Sequence, residues 1–130
     1  MDDLTRRAEF WTHLDQLVAS SQVVIDRPKG SAHPRFPDAI YPLDYGYLHP
    51  TTTVDGGGVD VWVGSQPGRP LEAVLCSVDL YKRDVEVKLL LGCTKSEVEQ
   101  ILAFMNQFSM RVLLVQRKGN LTQINTDKNG

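Results

Sequence analysis

The sequence predicts an α+β fold, mainly β with flanking helices, built on a small barrel. Three observations predict it. The candidate elements run helix, several short strands, helix, strand. The strands are short and bounded by turn residues, which suits antiparallel pairing in a small barrel. At 130 residues, 42% of them apolar, the chain is long enough to bury one core as a single domain.

Each element has a local reason. Residues 2–20 read as an amphipathic helix, with Leu4, Ala8, Trp11, Leu14, Leu17 and Val18 on one stripe and Asp2 or Asp3 as its cap. Gln22–Arg27 is β-branched and strand-like. Pro28–Pro42 holds four prolines and is expected to be an irregular extended loop. Tyr41, Tyr45 and Tyr47 have the spacing of a short extended segment bent at Gly46. Val59–Gly64 alternates, with Val59, Val61 and Val63 on one face and Asp60 and Trp62 on the other. Leu71–Tyr81 and Val85–Leu91 read as strands joined near Lys82-Arg83. Thr94-x-x-Glu97 is a capping box that opens a helix through about Phe108, its core face formed by Val98, Ile101, Leu102 and Met105. Arg111–Gln116 is a last strand. The domain is expected over 1–117, followed by a polar tail at 118–130. Trp11 and Trp62 are expected in the core or at a subunit contact.

The net charge of −2 leaves no global basic field to recruit nucleic acid or an anionic membrane. The apolar runs are too short to span a bilayer, and the N-terminus lacks a signal-peptide core, so the expected location is cytoplasmic. Cys76 and Cys93 form no Cys-x-x-Cys pair and are expected to be reduced. His13, His33 and His49 are too scattered to suggest zinc.

The residues that carry chemistry sit at turns and strand ends. Asp55-Gly56-Gly57-Gly58-Val59-Asp60 sets two carboxylates around a flexible loop. It reads either as an ion or phosphate loop or as an ordinary hairpin turn. In Asp84-Val85-Glu86-Val87-Lys88, alternation places Asp84, Glu86 and Lys88 on one face. That face is either a solvated strand surface or part of a barrel mouth shared with Asp55 and Asp60. Asp26, Lys29 and Arg35 surround the proline-rich loop as surface charge or as a phosphate clamp. Carboxylates suit a hard cation, while Lys, Arg and Tyr suit phosphate oxygens.

Tyr41-Pro-x-x-Tyr45-Gly-Tyr47 followed by Asp55-Gly-x-x-Val59-Asp60-Val61 resembles the soluble family I inorganic pyrophosphatases. The likeness covers about Val23–Leu90, and more loosely the C-terminal helix and strand. It implies a five-stranded OB-like barrel with N- and C-terminal helices, magnesium as cofactor, and hydrolysis of diphosphate by a metal-activated water. It also implies a homo-oligomer whose ligand is diphosphate or another small phosphorylated molecule, with no nucleic-acid or membrane partner. Carried over by position, Asp55, Asp60 and Glu86 are the metal ligands, with Asp79 and Asp84 candidates for a further one. Tyr45 and Asp26 take catalytic places, and Lys29, Arg35, Tyr45 and Lys88 face the phosphates.

The departures are specific. Gly57 stands where the family has an aspartate that helps deprotonate the attacking water, and Pro37 stands where a glutamate is expected. Phe108-Ser109 replaces a Tyr-Lys pair, and there is no room between Arg35 and Tyr41 for a hairpin carrying a phosphate-binding arginine. Lys29, Lys82 and Arg83 are the candidate substitutes in the clamp. Two functions are consistent with this pattern: a magnesium-dependent phosphohydrolase with weak or altered activity, and a non-catalytic module that binds metal or a phosphorylated ligand.

Overall fold

Asp2 caps the first helix by accepting the amide of Thr5 at 2.7 Å, and α1 runs Asp3–Ala19. The computed structural model describes residues 1–118, so the predicted polar tail lies, except for Lys118, outside the described residues. Six strands follow in chain order: β1 (Gln22–Arg27), β2 (Asp44–His49), β3 (Asp60–Val63), β4 (Leu71–Asp79), β5 (Asp84–Leu91) and β6 (Met110–Gln116). The second helix, α2 (Lys95–Met105), lies between β5 and β6. Its capping box is complete: the Glu97 amide donates to Thr94 Oγ1 at 3.2 Å, and the Thr94 amide donates to Glu97 Oε1 at 2.8 Å. The helix stops three residues before Phe108, at the Asn106 cap, and the turn to β6 holds Phe108 at a positive φ of 55°.

The predicted five-stranded barrel is corrected in two ways. The sheet has six strands, in the order β1-β2-β3-β5-β4-β6, and it is open, with β1 and β6 as its edges. All neighbours pair antiparallel except β3 and β5, which are parallel because the β4–β5 hairpin folds β5 back between β4 and β3. The physical reason for the open sheet is that both faces are apolar. A barrel buries one face inside itself. Here α1 covers the face bearing Val61, Val63, Val74, Leu89 and Leu91, and α2 covers the face bearing Trp62, Ala73, Leu75 and Leu90. Trp11 and Trp62 are both core residues, one on each side.

The sixth strand is the tyrosine segment, which the sequence suggested only as a bent stretch. Gly46 does not bend it. Gly46 lets β2 lie against β1: a Cβ there would sit 1.8 Å from the carbonyl oxygen of Val24. Gly46→Ala is expected to lower stability by about 3 kcal/mol or more, because the opposing atom is backbone and the strands must part. Urea unfolding checks this, and a midpoint equal to wild type would show that β1 is free to move aside.

The loop between β1 and β2 crosses the α2 side of the sheet. It closes on itself through an Ala32–Ile40 bridge and buries Tyr41 and Leu43. Two side chains attach it to other turns. The Arg35 guanidinium lies 4.0 Å over the Tyr81 ring, and Phe36 stacks on Phe108 with centroids 4.0 Å apart at 10°. On the opposite face, α1 covers only part of the sheet, and Val78, Val85, Val87 and Leu113 are exposed beyond it.

Candidate functional site

Phase along three neighbouring strands builds the site. Tyr45 on β2 is in register with Trp62 on β3, Trp62 with Leu90 on β5, and the α2 side of β3 and β5 also carries Asp60, Glu86 and Lys88. The charged side of β5 is therefore its inner side, and the solvated-strand alternative is overturned. Lys88 is only 4% exposed, whereas Val85 and Val87 on the other side face solvent.

The Lys88 ammonium has three donors, and all are engaged. They go to Asp60 Oδ2 at 2.9 Å, the Tyr45 hydroxyl at 3.0 Å and Glu86 Oε1 at 3.4 Å. Burial opposes the charge, but Tyr45 and Asp60 outweigh it and hold Lys88 above the ordinary lysine range. Burial raises the Tyr45 phenol, the Asp60 carboxylate adds to that effect, and Lys88 works against it; the ring stays protonated at neutral pH.

These residues open into a cavity of about 610 Å³ on the α2 side. Asp26, Arg35, Tyr45, Asp55, Asp60, Glu86 and Lys88 line it; Lys29, Asp84 and Gly57 do not. The Lys29 amide donates to Asp44 Oδ1 at 2.8 Å. Asp55 belongs to the β2–β3 connection, and its Oδ1 accepts the Thr53 hydroxyl and the Gly57 amide at 3.0 Å. The Thr53 hydroxyl, then the Gly57 amide, hold its carboxyl below the usual range. The hairpin alternative thus accounts for Oδ1 of Asp55, and Oδ2 has no hydrogen-bond partner among the described residues. Among the described residues no three acidic, His or Cys side chains are grouped closely enough to hold a metal alone. Asp79, also a lining residue, accepts the Ser109 hydroxyl at 2.7 Å and the Tyr81 amide at 2.9 Å, and the Ser109 bond leads in lowering its pKa.

The sequence reading named Arg35 and Lys82 in a cationic wall of this cavity but missed Arg27 and His33. Arg27 donates to the Tyr41 hydroxyl and lies 5.6 Å from the Tyr41 centroid and 5.9 Å from that of Tyr45. His33 stands near Arg27, Arg35 and Lys82; burial, then those three cations, lower its pKa. Its Nδ1 accepts the amides of Arg35 at 3.0 Å and Phe36 at 3.3 Å, which places the ring proton on Nε2. A β-bulge hides Arg27 from a period-two reading. Ile25 pairs with Gly46 and Arg27 with Tyr45, so Asp26 is the extra residue and Arg27 turns to the α2 side. Of the proposed clamp substitutes, Lys82 lines the cavity and Arg83 does not.

This chain is similar in fold to inorganic pyrophosphatases. It matches the enzyme from Coxiella burnetii with a TM-score of 0.58 and 15% identity, covering 80% of this chain and 90% of that one. It matches the Thermus thermophilus enzyme with a TM-score of 0.57 and 18% identity over 83% and 90%. For the Helicobacter pylori enzyme the values are 0.54, 20%, 87% and 92%. No protein-family model matches the chain, and no curated protein does. At these identities the likeness concerns the fold. No helix among the described residues is long and apolar enough to cross a membrane.

Proposed function

We propose that the chain is a magnesium-dependent phosphohydrolase of the pyrophosphatase type, with weak or altered activity toward diphosphate. The observation that carries this reading is the meeting of Asp60, Glu86 and Lys88 in one cavity with Arg27, Arg35 and Lys82. The donor set fits the ion. Asp60 and Glu86, brought together on Lys88, offer hard carboxylate oxygens, with Asp55 as a further ligand from the β2–β3 loop, and magnesium commonly takes one or two protein carboxylates and completes its shell with water and substrate phosphate. Bound there, the ion supplies charge neutralisation and a more acidic water.

The chain's own groups do the rest. Lys88 and Arg35 hold phosphate oxygens, and Arg27 and Lys82 extend that wall; Lys29 joins it only if its exposed side chain reaches over the rim. Tyr45, kept protonated, offers a hydroxyl at the reacting end. Asp26, on the bulge at the cavity edge, is the carboxylate placed to accept a proton in the absence of one at Gly57. The test is a phosphate-release assay with diphosphate and magnesium, run beside nucleotides and phosphate esters. Magnesium-dependent release that Asp60→Asn and Glu86→Gln each reduce at least tenfold is expected. No release from any member of the panel would defeat the phosphohydrolase reading.

The second reading is a non-catalytic module that binds metal or a phosphorylated ligand on the same fold. Two observations favour it: every donor of Lys88 is already engaged, and position 57 has no carboxylate. Magnesium binding without turnover selects it.

We also propose a homo-oligomer, but on different residues from those the sequence suggested. Trp11 and Trp62 are buried within the chain, which selects the core over the subunit contact for both. The exposed Val78, Val85, Val87 and Leu113 on the uncovered sheet face support it instead. Light scattering is expected to give more than the 14.6 kDa of one chain, and Val85→Lys is expected to return it to that mass. A monomer at every concentration removes the proposal.

A further inference from the structure

We propose that the ligand of this cavity is an organic phosphate: a phosphate or diphosphate ester carrying a flat aromatic group. The inference rests on the phosphate reading above and adds the part of the ligand that is not phosphate. Three features point to it.

The first is size and division. A cavity of about 610 Å³ falls within the roughly 300–1,000 Å³ typical for drug-sized ligands and leaves a bare diphosphate loosely held. Its charged half is formed by Asp60, Glu86, Lys88 and the cationic wall. The rest of the lining joins polar side chains, among them Asp79, Gln107 and Ser109, to an apolar set of Pro34, Phe36, Phe104, Phe108 and Met110. A small polyanion gains nothing from the apolar set, whereas a ring attached to it does.

The second is the arrangement of the rings. Phe36 and Phe108 come from different loops and stack with parallel planes, their centroids 4.0 Å apart at 10°, at the cavity wall. Phe104 lines the same cavity, packed on Tyr41 at 4.8 Å and edge-on to Trp62 at 5.7 Å. Phe36 backs one face of the Phe108 ring, and the exposure of Phe108 leaves aromatic surface available.

The third is backbone cost. Phe108 is 58% exposed, so its ring is not held by the core, and it adopts a left-handed φ of 55° that bulky side chains avoid. A large ring kept at a strained and exposed position, beside a cavity, is the pattern of a recognition residue. The residue that follows fits the same division: Ser109 binds Asp79 and brings no cation to this end of the cavity.

The geometry therefore places phosphate between Lys88 and the cationic wall, and the ring against Phe36 and Phe108. The experiment is calorimetric titration, with magnesium present, of phenyl phosphate, a nucleoside 5′-monophosphate, methyl phosphate and inorganic diphosphate. Wild type is expected to bind one or both ring-bearing esters about 10–100-fold more tightly than methyl phosphate, the range for one stacked ring. Which of the two binds better identifies the ring as a simple aryl group or a base. Phe108→Gly, which also relieves the left-handed strain, and Phe36→Leu, which keeps bulk without an aromatic face, are each expected to bring that ratio to within about threefold of one. Thermal melts of both variants establish that they are folded.

If diphosphate binds but ring-bearing and methyl esters bind alike, the organic-ligand inference is overturned and the phosphate reading stands. If a ring preference survives in both variants, the platform is misassigned and the inference is overturned. If none of the four ligands binds, the phosphate reading itself has failed.

Discussion

Lys88→Met is expected to destabilise the protein by about 2–4 kcal/mol without divalent ions. Removing one partner of a buried ion pair commonly costs about 3–5 kcal/mol, because the other charge is left uncompensated. The lower value applies here because the side chains of Asp60 and Glu86 keep 27% and 24% of their surface. Methionine keeps the length and suits the apolar stem, so the change isolates the charge. In a domain of this size the loss corresponds to a fall in Tm of roughly 10 °C.

Magnesium makes the test sharper. In wild type the ammonium already neutralises the two carboxylates, so an added cation relieves little repulsion and raises the Tm modestly. In Lys88→Met the ion takes over a vacated role, and linkage predicts a larger rise at the same concentration. Thermal unfolding of both proteins across a magnesium series measures the difference. Equal shifts would mean that the ion binds elsewhere, and a Tm for the variant matching wild type would mean that the ammonium does not hold the carboxylates.

Gly57→Asp is expected to raise diphosphate hydrolysis by about 10–10³-fold. The full effect of a general base is about 10²–10⁴-fold, and the range is set lower because Phe108 and Ser109, where the resemblance implies a Tyr-Lys pair, carry no cation. The backbone accepts the change. Gly57 is outside the left-handed region, and its added Cβ would meet only Asp55 Oδ1, at 3.4 Å. The new carboxylate would stand beside Asp55, itself a lining residue, and should also tighten magnesium binding. Phosphate release under saturating magnesium measures it. Equal rates for the two proteins with metal bound in both select the binding module or an organic substrate. Fast turnover by wild type would mean that another carboxylate, with Asp26 the first candidate, already serves as the base.

What was legible in the chain depended on whether the signal was local. The capping box at Thr94 and Glu97 is a four-residue pattern, and both of its hydrogen bonds form. Alternation correctly grouped Asp60 with Trp62 and Glu86 with Lys88, because neither β3 nor the charged half of β5 is interrupted. Which of those faces would be buried was not local. It follows from α2 and the proline-rich loop covering one side, and from α1 ending short of Val85 and Val87 on the other. β2 was obscured by Gly46, which reads as a bend until the backbone of Val24 is seen to occupy the space of its missing side chain. Barrel closure was not legible because it depends on whether β1 and β6 meet, and they stand at opposite edges. The Phe36–Phe108 pair was hidden for the same reason: two loops far apart in sequence form it.

The bulge at Asp26 has a consequence for the sign of the cavity wall. One uncounted residue separates Ile25, opposite Gly46, from Arg27, opposite Tyr45. Were the two strands to pair without the bulge, Asp26 would stand opposite Tyr45, and Arg27 opposite Asp44 with its side chain on the α1 side. The guanidinium beside Tyr41 would then point away from the cavity, and nothing else on β1 would replace its charge. Whether this edge of the molecule attracts an anion is thus decided by the parity of a backbone count rather than by the presence of an arginine in the sequence. The same sequence paired in unbroken register would keep every named functional group and lose part of its phosphate wall.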